Sequence, residues 1–237
     1  MSEATRDTIF NGRLTLWQPA RQGGYRFNLD PILLASFARS AASVVDLGAG
    51  CGVLGLALVG LGKAQSLTFV ELQSSLADLV ERNIQSNALA DKARLIRGDL
   101  RAMALDSVEH VVFNPPYFKA NSGRGAPNDS RDAARHERNG TLQDFVIRAA
   151  KTATGFVSAI VPWNRSKELV EAWKDTGGSL RRLRHVRPRH ADNPKLALFE
   201  GTREPVSFIE EPALVIHADG TRDFTPEVEA MVAGRLL

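Results

Sequence analysis

Residues 43–55, "SVVDLGAGCGVLG", decide how this chain is read. Val44 and Val45 form an apolar, β-favouring run, Asp46 stands near its end, and Gly48, Gly50 and Gly52 follow in alternation. "VLGLALVGLG" (53–62) then reads as a helix punctuated by Gly60 and Gly62. Buried strand, glycine turn and helix make the opening unit of a parallel α/β sheet, which binds ligands at the carboxyl ends of its strands.

The same alternation runs outward from this stretch. "SLTFVEL" (66–72) reads as a second strand, and "SSLADLVERNIQSNAL" (74–89) as a helix with Leu76, Leu79, Val80 and Ile84 on one face. "ARLIRGD" (93–99), "HVVFN" (110–114) and "GFVSAIVP" (155–162) are further strands. "TLQDFVIRAAKTA" (141–153) is a helix opened by Thr141 as its cap, and "RSKELVEAWKDTG" (165–177) is a helix stopped by Gly177-Gly178. "SLRRLRHVRP" (179–188) and "KLALFEGTREPVSF" (195–208) are separated by a short loop and so are expected to pair antiparallel. The first 40 residues lie outside this alternation. The expected organisation is a leader over 1–40, packed on the sheet's carboxyl end, and one domain over 41–237 with a C-terminal extension. The longest piece without a pattern, 119–140, is of the length usually reserved for function.

Composition bounds the possibilities. The 237 residues are 43% hydrophobic and 24% charged, which suits a chain able to build a core. No apolar run reaches the ~18 residues of a membrane span, and the polar start "MSEATRDTIFNGR" lacks the apolar segment of a secretory signal. A single cysteine, Cys51, excludes internal disulfides and fits a reducing cytosol. The five histidines show no zinc-binding spacing, so no metal is expected. Net charge is +3 with a pI of about 9.2, and five arginines fall within "RRLRHVRPRH" (181–190) without one acid. Such a run is either a phosphate footprint or a charged edge strand that resists aggregation.

The glycine loop carries two overlapping signals. Gly50, Gly52 and Gly55 match G-x-G-x-x-G, with Glu71 about 20 residues on, as in dinucleotide-binding oxidoreductases. Asp46, Gly48, Gly50 and Gly52 instead suit a ligand without a pyrophosphate, whose ammonium end Asp46 helps to orient. That is an S-adenosylmethionine (SAM) arrangement. Asp99 ends the third strand, where a carboxylate accepts from an adenine amino group. Three strand ends thus each offer an acid along one edge. Cys51 has no base nearby and reads as a small packed residue.

The fourth strand ends in "NPPY". Two prolines cannot continue a central strand, so they fix a stiff turn. An amino group on a planar ring is a poor nucleophile because its lone pair is delocalised. The Asn114 side-chain oxygen and the Pro115 carbonyl can hold its two N–H bonds and aim the lone pair. Pro116 stiffens the turn, and Tyr117 can stack on the ring, a contact worth roughly 1–3 kcal/mol.

"VVDLGAGCGVLGL", "FVELQ", "RGDL" and "NPPY" resemble the successive motifs of Rossmann-like SAM-dependent amino-methyltransferases. The flanks "GYRFNLDPILLASFA", "NPPYFKANSGRGAPNDSRDAARHERNGTLQDFVIRAAK" and "PALVIHADGTRDFTPEVEAM" resemble the tRNA1(Val) (adenine(37)-N6)-methyltransferase family over about residues 11–235. The resemblance implies a class I SAM-dependent methyltransferase fold: a mostly parallel seven-stranded sheet with an antiparallel closing hairpin. It implies SAM as cofactor and tRNA as substrate, with a monomer in the cytoplasm and neither metal nor membrane. It places cofactor binding on Asp46, Gly48, Gly50, Glu71, Leu72, Asp99, Leu100 and Asn114, and the adenine on Asn114, Pro115, Pro116 and Tyr117. Asp30, read as a helix cap before Pro31, would lie near the cofactor's entrance. Lys119, Arg135, His136, Arg182 and Arg184 are candidate substrate contacts. Protein glutamine N5-methylation, rRNA guanine N2-methylation and a silent RNA- or protein-binding module remain alternatives. Glutamine methylation would call for a further N-terminal helical domain.

Overall fold

Val44 and Val45 turn to opposite faces of one strand, and each meets its own apolar layer. The same holds for Val112 and Val111 on the strand hydrogen-bonded directly beside it. Burying each such side chain is worth about 1.5–3 kcal/mol, so a one-residue slip, which would reverse both, is strongly disfavoured. A sheet with two covered faces follows.

The computed structural model describes residues 4–20, 28–116 and 140–235. Its strands are β1 (Ala4–Ile9), β2 (Leu14–Pro19), β3 (Ala41–Leu47), β4 (Ala64–Glu71), β5 (Ala93–Arg97), β6 (Val108–Phe113), β7 (Ala153–Pro162), β8 (Ser179–Arg187), β9 (Leu196–Thr202) and β10 (Ile209–Val215). Its helices are α1 (Asp30–Phe37), α2 (Val53–Gly60), α3 (Ser74–Ser86), α4 (Leu142–Thr152), α5 (Ser166–Asp175) and α6 (Pro226–Val232). Among the described residues, the main sheet has eight strands in the order β10-β8-β9-β7-β6-β3-β4-β5. All neighbours run parallel except β9, which is antiparallel to both β7 and β8. One core layer takes in α1, α2 and α3, and the other takes in α4 and α5.

The closing antiparallel pair is present as expected. The eighth strand, β10, is an addition to the seven expected. Its sequence "IEEPALV" hides it: two glutamates and Pro212 break the alternation, and the β8–β10 register shifts between Glu211 and Leu214. The expected strand over 195–208 is shorter, ending at Thr202.

Helix starts follow local chemistry. Thr141 does cap α4: its Oγ1 accepts from the Asp144 N–H at 3.2 Å, and Asp144 Oδ2 accepts from the Thr141 N–H at 2.8 Å. Asp30 does not cap α1, contrary to expectation. Leu29 is the cap position and Asp30 the first helical residue, tied to Asn28, whose Nδ2 donates to Asp30 Oδ2 at 2.9 Å. The far end of α1 is held from outside: Lys63 Nζ donates to the carbonyls of Ala35, Ser36 and Ala38, and Arg182 Nη2 donates to that of Phe37.

β1 and β2 form a separate antiparallel hairpin. Its turn carries positive φ at Phe10, Asn11 and Gly12 (55°, 54° and 85°). The hairpin docks on α3, where Asn83 and Asn87 bond the main chain of Trp17 and Thr15.

Candidate active site

Sheet register sets the site. Leu47, the last residue of β3, pairs with Val70 of β4 on one side and Phe113 of β6 on the other. Gly48, Glu71 and Asn114 therefore emerge at one level of the carboxyl edge. They line a single cleft of about 230 Å³. Asp46, Gly50, Leu72, Asp99 and Leu100 line it too, as do Pro115 and Pro116. Pro31, Leu76 and Phe145 also line it, and the sequence reading had not placed them there. Phe145 reads as an ordinary core residue of an amphipathic helix. The signal that could have found it is Gly48, which sits at φ +67° with a side chain's room taken by the Phe145 ring, 2.8 Å from where a Cβ would lie.

The three acids differ in state. Asp46 is 1% exposed and accepts from the Gly55 N–H at 3.0 Å. Burial, with the charge of Glu71 nearby, pushes its carboxyl up to about 7. Glu71 is held by two backbone amides, Gly50 N–H to Oε2 at 2.8 Å and Gln73 N–H to Oε1 at 2.7 Å. Burial raises it as well, and those amide bonds work against the rise. Asp99 is more open and grips Arg101, with Nη2 to Oδ2 at 2.6 Å and Nε to Oδ1 at 2.9 Å. That pairing holds its carboxyl below the usual range. Burial pushes the Cys51 thiol up to about 12, so it is no thiolate nucleophile at neutral pH.

Asn114 Oδ1 is buried against the cleft with no hydrogen-bond partner among the described residues. A bare buried acceptor costs roughly 1–3 kcal/mol, so the site holds an unmet demand for a donor.

The remaining candidates fall in two groups. Tyr117, Lys119, Arg135 and His136 lie outside the described residues. Arg182 and Arg184, the two candidate substrate contacts on β8, are both ion-paired within the protein. Arg182 bonds Glu200 at 2.6 Å and Glu211 at 2.7 Å, and Arg184 bonds Glu227 at 2.6 and 2.9 Å. Nor is β8 an edge strand, because β10 lies outside it. Arg187 and Arg189 lie at and just past the carboxyl end of β8 and have no described carboxylate partner. Their hydrogen bonds go to the carbonyls of His190 and Thr221. Among the described residues no group of three His, Cys, Asp or Glu could hold a metal ion, and no helix is long and apolar enough to cross a membrane.

The family model for the methyltransferase small domain (MTS) matches residues 30–129. A curated relative from Tolumonas auensis, named tRNA1(Val) (adenine(37)-N6)-methyltransferase, is 28% identical over 207 residues, covering 85% of this chain and 86% of the relative. One of the same name from Porphyromonas gingivalis is 26% identical over 219 residues, 85% of each chain. Among solved structures, one from Agrobacterium tumefaciens titled a predicted O-methyltransferase superposes with TM-score 0.68 at 22% identity, covering 87% of this chain and 96% of that one. M. jannaschii TYW2, solved with AdoMet, superposes with TM-score 0.56 at 13% identity, covering 85% and 86%. The structural likenesses establish the fold. The residues of the cleft fit the cofactor on their own chemistry: Gly50, at φ +60° with nothing within 4 Å of an added Cβ, leaves room for close approach, and Glu71 is fixed for hydroxyl groups. By strand order and structural likeness, the chain has the fold of the class I SAM-dependent methyltransferases.

Proposed function

We propose that the protein methylates N6 of an adenine in tRNA, at a position equivalent to 37 in its curated relatives' substrate. The observation that carries this reading is Asn114 Oδ1, a buried acceptor at the end of β6 without a partner among the described residues. An exocyclic amino group offers two N–H donors. Asn114 Oδ1 takes one and the Pro115 carbonyl the other. So held, the nitrogen turns its lone pair away from both acceptors, and positive charge developing on it is stabilised by two fixed dipoles. SAM, when bound, supplies a methyl group on a sulfonium that departs as a neutral thioether. The nitrogen so held would take that methyl group, and the acidic ammonium product would give its proton to water. No strong base is needed, and among the described cleft residues none stands beside Asn114 for that task.

In this reading Asp46, Gly48, Gly50, Glu71, Leu72, Asp99 and Leu100 hold the cofactor. Tyr117 stacks on the adenine. Lys119, Arg135 and His136 meet the RNA at the mouth, and Arg187 and Arg189 replace Arg182 and Arg184 as phosphate contacts farther along the edge. The target adenine has to be unstacked, as loop bases are. The chain acts as a cytoplasmic monomer, with residues 1–40 as a leader on the catalytic domain.

The deciding test is incubation with labelled SAM and either total tRNA or a release-factor protein, followed by nucleoside analysis. Label in N6-methyladenosine is expected. Label in methylglutamine or N2-methylguanosine would replace the substrate and keep the chemistry; no label in either polymer would overturn the reading.

Asp46 adds a pH dependence. Its folded value, about 7, lies above the ordinary 3.8. The folded state therefore keeps a proton that the unfolded chain has lost, and the stability of the free protein falls as pH rises from about 4 to 7. A bound ammonium favours the ionised carboxylate, so SAM affinity is expected to rise through pH 6–7.5 and then level off. Titration calorimetry across pH 5.5–8.5 measures this, and Asp46→Asn should flatten the profile.

A further inference from the structure

The N-terminal hairpin meets the cofactor loop through one side chain. Asn83 of α3 is 1% exposed and spends its amide on two partners at once. The Trp17 N–H donates to Oδ1 at 2.6 Å, while Nδ2 donates to the Trp17 carbonyl at 2.9 Å and to the Cys51 carbonyl at 2.8 Å. One turn on, Asn87 repeats the first half of this pattern with Thr15, at 2.8 Å in both directions, but has no described bond to the glycine loop. The two asparagines act as a surrogate strand along the open side of β2. Trp17 is further fixed by Nε1 donating to Ser86 Oγ at 3.1 Å and by the Arg82 guanidinium over its ring.

Cys51 is the residue where this docking touches the site. It lies between Gly50 and Gly52, both at positive φ, in a loop whose other ties include the Ala49 N–H to the Val70 carbonyl at 3.0 Å and the Gly52 N–H to the Ala49 carbonyl at 2.8 Å. The Gly50 N–H in turn holds Glu71 Oε2. Bonds therefore run from hairpin backbone to Asn83, to the glycine loop, to the acid that faces the cofactor. We infer that Asn83 is a positioning residue for the cofactor site, and that the N-terminal hairpin serves as its buttress rather than as an independent cover. Removing the Asn83 amide frees the Cys51 carbonyl, lets the loop relax, and loosens the hold of Gly50 on Glu71.

Asn87 supplies the control, because it loses the same number of hairpin bonds and none to the loop. In the full-length protein, Asn83→Ala and Asn87→Ala should lower the unfolding temperature by similar amounts. SAM titrated well below both transitions should bind Asn83→Ala about 10-fold more weakly and Asn87→Ala within about 2-fold of the parent. Asn83→Asp keeps the acceptor for Trp17 and sets a carboxylate against the Cys51 carbonyl, so it should weaken SAM at least as much as Asn83→Ala. Methyl transfer at saturating SAM should stay within about 3-fold for all three, a KM effect without a kcat effect. Equal weakening by Asn83→Ala and Asn87→Ala, or none by either, overturns the proposal. So does failure of both Asn83 variants to fold, since the role assigned is local.

Discussion

Asn114→Ala is expected to lower the rate of methyl transfer about 10²–10³-fold, the usual cost of losing one preorganised dipole at a centre of developing charge. SAM affinity should change by no more than about 3-fold, because the acids proposed to hold the cofactor stand on other strands. Stability should not fall. The parent buries an amide oxygen with no partner among the described residues, so truncation removes an unmet acceptor rather than a made bond. The expected pattern is a protein as stable as the parent, able to bind its cofactor and nearly silent in single-turnover transfer. That combination separates a residue kept for chemistry from one kept for folding. Transfer within 10-fold of the parent would sink the mechanism, whichever substrate proves right.

Glu200→Gln is expected to have the largest effect on stability, a loss of about 3–5 kcal/mol in urea unfolding. Glu200 is fully buried and takes Arg39 at 3.0 Å, Arg181 at 3.1 Å and Arg182 at 2.9 and 2.6 Å. Burial alone would raise its carboxyl, but the guanidinium groups of Arg182 and Arg39 overcome this and hold it below the usual range. Glutamine keeps the shape and removes the charge, leaving Arg182 mostly buried beside Lys63, which burial already pushes down to about 8. The sign with pH follows. A depressed carboxylate contributes stability above its unfolded value near 4.5 that is lost as pH falls through the folded value, so the variant's acid limb should be flatter. A loss under about 1 kcal/mol would mean that the cluster breaks even against its desolvation.

That cluster also shows where sequence reading stops. Within "RRLRHVRPRH" nothing distinguishes Arg182 from Arg189, because the partners of Arg182 and Arg184 lie 18, 29 and 43 residues away. The order β10-β8-β9 brings Glu200 and Glu211 to Arg182, α6 brings Glu227 to Arg184, and β10 was hidden by Glu210, Glu211 and Pro212. The cleft was legible for the opposite reason. Strand tips, alternating glycines and a proline stop are local signals, and a parallel sheet collects strand tips along one edge whatever its exact order. The first hairpin lay between these cases: Asn11-Gly12 is a turn signal, but the strands on either side, "TRDTI" and "LTLWQ", are too polar for burial to announce them. Their partners, Asn83 and Asn87, read as the polar side of an ordinary helix.

Strand order also has a consequence for assembly in time. β3, β4 and β5 are consecutive and pair outward one after the other, so Asp46, Glu71 and Asp99 come together within a single contiguous stretch. β6 pairs back across that block to β3, with Val44 opposite His110. A growing chain that has emerged as far as Leu100 already carries all three acids, and Asn114 joins them only by the long-range closure that follows. On the proposed roles, the half of the cleft assigned to the methyl donor is expected to form before the half assigned to the substrate.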